Sequence, residues 1–230
     1  MTSLAEQTSP PGTAAVGTGR WLELFLLFVA GPGLISLGPR WLLLVVIVTG
    51  GIVCLALLRA DPTFPRAQLF NVGALRGGLK QLLLRTAIVW TALLLFTLLT
   101  RGPGGLFLLL RTRPLIGAGV IVLYPILSAF PQELMYRTFF FHRYGGLFSR
   151  PATLMVTNAL LFGWSHIIVH NAIAMLLATV GGLLFAHTYQ RSRSTALVTL
   201  EHALYGDFVF VVGVGGMFVN GVRLLSRIIK

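Results

Sequence analysis

Acidic residues are scarce in this chain. Six Asp and Glu stand against 18 Lys and Arg, and charged residues together make up only 10% of 230 positions. A soluble domain of that size carries more charge on its surface, so the soluble globular classes are excluded. Cysteine is scarcer still. Cys54 stands alone inside an apolar run, which excludes an intrachain disulfide and marks a small buried apolar residue. Short alternating strands are missing, and the apolar runs are long and unbroken, which argues against a β-barrel. There is no internal repeat and no second domain, and no inverted repeat points to a small transporter. The chain start lacks the basic residues and short apolar core of a cleaved signal peptide.

What is present is hydrocarbon. The sequence is 56% hydrophobic, with a mean hydropathy of +0.85. The fold class is all-α: a polytopic integral membrane protein of about eight transmembrane helices around a polar intramembrane cavity. Met1 to Arg20, rich in Thr, Ser, Ala, Gly and Pro, reads as a disordered tail before a single membrane domain over 21–230. The expected spans are Trp21–Leu37, Trp41–Leu58, Leu79–Thr100, Pro114–Phe130, Ala152–Ile168, Ala172–Tyr189, Ala196–Tyr205 running on towards Val212, and a weak last one around Val209–Leu225. Trp21, Trp41 and Tyr189 stand at span ends, where amphipathic rings favour the interface. Apolar character overruns the fourth span, and Pro131 predicts a kink or a helix restart there. A restart would place Gln132 and Glu133 near a helix N-terminus.

The net charge of +12 raises nucleic acid as a partner, but the Arg residues are spread over many short loops and form no patch. They fit topology determinants instead. With eight spans and a cytoplasmic N-terminus, 12 basic residues fall inside: Arg20, Arg59, Arg66, Arg76, Lys80, Arg143, Arg150, Arg191, Arg193, Arg223, Arg227 and Lys230. Only 4 fall outside, namely Arg40, Arg101, Arg111 and Arg113, while Arg85 and Arg137 remain within spans. Both termini are therefore expected to be cytoplasmic. The basic Asp61–Gly78 loop is placed to meet anionic headgroups.

Against this background a few polar groups stand out. Glu133 lies in an apolar and aromatic run, four residues before Arg137, so the two share one helix face and can pair. Phe162-Gly163-Trp164-Ser165-His166 ends the fifth span. Glu201-His202-Ala203-Leu204-Tyr205-Gly206-Asp207 lies within the seventh. Each has a plain structural reading: Glu133 and Arg137 as an ion pair locking helices, His166 as a hydrogen-bonded histidine, Glu201-His202 as a helix staple, Asp207 as a group in water at a span end. The Phe139–Phe141 run reads as lipid-facing or core, and the glycine pairs as close helix packing. Together, one carboxylate and two imidazoles on three spans are a set that can deprotonate water and stabilise an oxyanion. The same Glu133, His166 and His202 could instead hold a metal such as zinc or relay protons.

In that order the three motifs resemble the CAAX prenyl protease type II family, also called the CAAX protease and bacteriocin-processing (CPBP) family. Its pattern is Glu-Glu-x-x-x-Arg, Phe-x-x-x-His and His-x-x-x-Asn on separate membrane helices. Here these appear as Gln132-Glu133-Leu134-Met135-Tyr136-Arg137, as Phe162 to His166, and as His202 to Gly206 followed by Asp207. The resemblance covers about 120–218. It implies an intramembrane endopeptidase of a bacterial inner membrane, acting on a membrane-associated protein or peptide in the lipid bilayer and needing no cofactor. Glu133 and His166 would activate water, Arg137 would orient Glu133, Gln132 would position water or substrate, and His202 with Asp207 would serve the oxyanion. Two positions depart from the pattern. The first motif glutamate is Gln132, whose amide takes no proton at neutral pH, and the asparagine position is Gly206. A catalytically inactive CPBP-like scaffold or binding protein is the alternative these departures imply.

Overall fold

The computed structural model describes residues 12–39 and 41–216, and among these no strand occurs. Seven helices are long and apolar enough to cross a membrane: α1 (Gly17–Ile35), α2 (Trp41–Ala60), α3 (Arg66–Arg101), α4 (Pro114–Leu147), α5 (Pro151–Val169), α6 (Ala172–Ser192) and α7 (Thr195–Val212). Each answers to one of the expected spans. The weak eighth span falls mostly outside the described residues, as do the first eleven residues of the expected tail. Regular helix already begins at Gly12, inside that tail. The regular α-helix of α3 runs from Val72, ahead of the expected start, because the Asn71 side chain accepts from Ala74 N and caps it. Arg76 and Lys80 therefore ride on helix rather than loop.

Burial is graded along the chain. The share of buried positions rises from 11% in α1 and α2 to 50% in α7, so the later helices form the centre. Side chains such as Leu99 and Leu115 are almost fully exposed, as a lipid-facing surface requires. The closest packing joins α5 and α6. A Cβ on Gly163 would overlap the Thr179 side chain, and one on Gly182 would press on the Ala159 backbone at 3.3 Å. Small residues here let two backbones approach. Phe139, Phe140 and Phe141 prove to be core. Phe28 of α1 meets Tyr136 and Phe140 edge-on, both at 5.1 Å. Trp21 and Trp41 are exposed, Trp41 at the first residue of α2 and Trp21 within α1. Tyr189 is buried and donates to Gln68 Oε1 at 2.9 Å. Cys54 is half-buried against the core.

Pro131 does not restart α4. Phe130 keeps helical angles (φ −61°, ψ −49°), and the helix runs on through two π turns, Pro125–Ala129 and Leu134–Phe139. A proline removes one backbone donor, and a π turn absorbs the mismatch by widening the helix. Carbonyls loosened in this way find donors on neighbours: Asn158 Nδ2 donates to Tyr136 O at 2.6 Å. The π turn Leu26–Ala30 of α1 behaves alike, with Trp164 Nε1 donating to Val29 O at 2.9 Å. Gln132 and Glu133 are thus mid-helix, without a helix N-terminus to favour the charge.

Among the described residues, some of the basic residues expected on one side meet at one end of the bundle, where Arg20 Nη1 donates to Arg143 O at 3.2 Å. Arg143 forms two hydrogen bonds to Glu23, at 3.1 and 2.8 Å. His142 Nε2 lies 2.8 Å from Asp61 Oδ2, and Thr195 Oγ1 donates to Gln68 O at 3.1 Å. The opposite end closes where Phe107 N donates to Val212 O at 3.2 Å.

Candidate active site

A cavity of about 570 Å³ opens among helices α1 to α7. Its walls are mostly apolar, including Leu27, Ile35, Val46 and Ile47, and its polar side chains include Tyr124, Gln132, His166, His202 and Tyr205. On α1, α5 and α7 the lining residues belong to the part of each helix away from the Arg-rich end. The sequence-based expectation of a polar pocket is refined to an apolar chamber with a polar cluster on its wall.

The neighbours Gln132 and Glu133 part company here. Gln132 lines the chamber and donates from Nε2 to Ser128 Oγ at 2.7 Å. Glu133 has no solvent exposure and is not among the lining residues. Its Oε1 lies 2.7 Å from His202 Nδ1, and its Oε2 lies 3.3 Å from Arg137 Nε. The arginine contact is an ion pair without hydrogen-bond alignment, since neither atom has a hydrogen-bond partner. Arg137 is instead held by its Nη2, which donates to Gly182 O at 3.1 Å, and by the Phe162 ring 4.2 Å below its guanidinium. A buried cation over an aromatic face recovers part of its lost hydration.

His202 is fixed on both sides. Phe185 stacks on its ring at 4.6 Å and Phe162 meets it edge-on at 5.6 Å. A carboxylate only accepts, so Nδ1 carries the hydrogen and donates to Glu133. Nε2 lies 2.9 Å from the Tyr124 hydroxyl. His166 begins the tight last turn of α5, at φ −82° and ψ 4°, a backbone region often found at active sites. Its Nδ1 lies 2.9 Å from Phe162 O. A carbonyl only accepts, so this contact places the ring hydrogen on Nδ1 and sets the tautomer.

The structure therefore brings Gln132, His166 and His202 to one chamber, with Glu133 and Arg137 directly behind His202. It does not bring Asp207 there; Asp207 is not among the lining residues, and its Oδ1 is buried without a hydrogen-bond partner. Among the described residues, no group of three or more His, Cys, Asp and Glu is arranged to hold a metal ion, the alternative set Glu133, His166 and His202 included. Tyr124 and Ser128 are the cavity groups that sequence reasoning missed. Tyr124 precedes His202 by 78 residues, and no motif joins them. The one available signal was the missing side chain at Gly206.

Fold and site together define a polytopic helical membrane protein with a carboxylate-backed histidine on an intramembrane cavity. Residues 114–206 match the family model of the type II CAAX prenyl endopeptidase Rce1-like proteins. That segment holds all three motifs, so the resemblance to the CPBP family is borne out across it, and the family is one of proteases. Neither the curated proteins nor the solved structures contain a match to the chain.

Proposed function

We propose that this protein is an intramembrane endopeptidase that hydrolyses a peptide bond of a membrane-associated protein. The observation that carries this reading is the opening of Gln132, His166 and His202 onto one chamber inside the bundle. His166 Nε2 takes a proton from water, and Gln132 orients that water or the scissile amide. His202 serves the developing oxyanion through its Nε2, which meets the chamber-lining Tyr124 hydroxyl. Glu133 lies behind His202 rather than on the chamber wall, so its task here is to position His202 and stabilise its charged form, with Arg137 holding Glu133 in turn. This differs from the base role that the sequence suggests for Glu133. Asp207 has no task in this scheme. The Arg-rich end of the bundle faces the cytoplasm, in a bacterial inner membrane, with both termini on that side.

A second reading has one specific observation behind it. The motif position on the chamber wall is the amide Gln132, bonded to Ser128, where the family pattern has a carboxylate. On that reading the chamber binds a membrane protein without cutting it. Comparative membrane proteomics of wild-type cells against a His166→Ala strain separates the two. A membrane-associated protein that accumulates in a longer form in the variant strain supports the protease. Unchanged processing of every membrane protein, with the variant present at normal levels, overturns it in favour of the binding protein.

A further inference from the structure

Gly206 lines the chamber where the family pattern has asparagine, and it offers that space no side chain. The space is filled from another helix. A Cβ built on Gly206 would overlap the Cε1 and hydroxyl of Tyr124. The Tyr124 side chain of α4 thus takes the volume that a side chain at 206 would need. Its ring is held edge-on against Phe210 at 5.3 Å. Its hydroxyl lies 2.9 Å from His202 Nε2, and His202 Nδ1 lies 2.7 Å from Glu133 Oε1. Carboxylate, imidazole and phenol form one chain of short contacts, and its last member lines the chamber.

We infer that Tyr124 is a catalytic residue: its hydroxyl donates a hydrogen bond to the carbonyl oxygen of the scissile peptide as that oxygen becomes negative, replacing the side chain absent at position 206. The inference rests on the protease reading above. When His202 is protonated, Nδ1–H donates to Glu133 and Nε2–H donates to the Tyr124 oxygen. The phenolic hydrogen is then turned out of that contact and into the chamber. Water attacks the carbonyl carbon, forming a C–O bond while its proton passes to His166 Nε2. The carbonyl electron pair moves onto oxygen, where Tyr124 meets it. As the C–N bond breaks, that pair returns, and the leaving nitrogen takes the proton from His166. Tyr124 lends a hydrogen bond throughout and ends unchanged. A phenol at the end of a carboxylate–imidazole pair is a charge-assisted donor in a dry site, where such donors contribute most.

The test uses the full-length protein in its membrane. Pulse-chase measures the cleavage rate of whichever precursor accumulates in the His166→Ala strain. Tyr124→Phe keeps the ring and its packing and loses only the hydroxyl, so the rate is expected to fall about 100-fold at unchanged protein level, the usual loss for one oxyanion donor. Gly206→Asn alone collides with Tyr124 and is expected to be inactive. Tyr124→Ala with Gly206→Asn restores a donor in a cleared space and is expected to cleave at least about tenfold faster than Tyr124→Ala, if the two side chains share one oxyanion role. If His166→Ala stops cleavage while Tyr124→Phe keeps the wild-type rate, this inference is overturned and the protease reading stands. If the double variant cleaves no faster than Tyr124→Ala, the replacement of one donor by the other is overturned. If wild-type cells show no cleavage that depends on His166, both fall together.

Discussion

Glu133 and Glu201 lie on neighbouring helices, both without solvent exposure, and each faces an arginine. Their surroundings differ. Glu133 pairs at 3.3 Å with Arg137, which is equally buried, and accepts from an imidazole that lines the chamber. Glu201 lies 3.7 Å from Arg85, whose side chain is 21% exposed, and accepts from Tyr205 one turn along its own helix at 2.9 Å. Arg85 also donates to Thr188 at 2.9 Å. One carboxylate is coupled to an imidazole of the cavity wall, the other to a phenol there. The second also fastens α3, α6 and α7 together. A buried acid in a membrane bundle is thus not a functional site by burial alone; the group it hands its charge to decides.

The largest expected effect separates the two acids by stability. Glu133→Gln strands the Arg137 charge in a dry site, a loss of about 3–5 kcal/mol. Glu201→Gln should cost clearly less, because Arg85 reaches solvent. Unfolding in detergent micelles, followed by thermal scanning, measures both. An equal loss in Glu201→Gln would erase the distinction between the two acids.

Activity separates them next. His166→Ala should lower the cleavage rate by about 10²- to 10⁴-fold, the usual worth of a general base. Glu201→Gln, in whatever fraction folds, should keep the wild-type rate. A cleavage defect in folded Glu201→Gln would bring the second acid into the chemistry.

Tyr205→Phe is a milder probe of the Glu201 side. It removes one hydrogen bond to a buried carboxylate, with an expected loss of about 1.5–3 kcal/mol and no change in the cleavage rate. A rate change without a stability change would show that the Glu201 cluster reports to the chamber.

The smallest effect is expected at the exposed end of the bundle. The Asp61 carboxyl is held down to about 2 by the Thr63 side chain and by His142. A lowered carboxylate adds stability above its ordinary range near 4 and loses it as pH falls through the lowered value. Asp61→Asn should therefore lower the thermal midpoint slightly at neutral pH, with the difference from wild type closing as pH drops from about 4 to about 2. A difference that persists at the acid end would assign the effect to packing rather than charge.

Several features were legible in the residues because they rest on local rules. Length and hydropathy placed α2 and α6 within three residues of their observed ends, and the i, i+4 spacing predicted the Glu133–Arg137 pair. The course of α4 was not legible. Its π turns persist because Asn158 on another helix meets a loosened carbonyl, and nothing within α4 announces that partner. Which of two adjacent residues, Gln132 or Glu133, faces the chamber was equally hidden. They point about 100° apart on any helix, and the choice depends on how His202 and Arg137 meet that helix from either side.

The sequence by itself determined that this chain lives in a bilayer as a bundle of helices, because a surface so poor in charge has no other solvent. It also determined that a carboxylate and two histidines are carried into that bundle. Only the tertiary structure decided where each of them sits. It turned Glu133 inward onto His202, left Gln132 on the chamber wall and let Tyr124 into the space beside Gly206, because contacts between distant helices select which face of each helix meets the cavity.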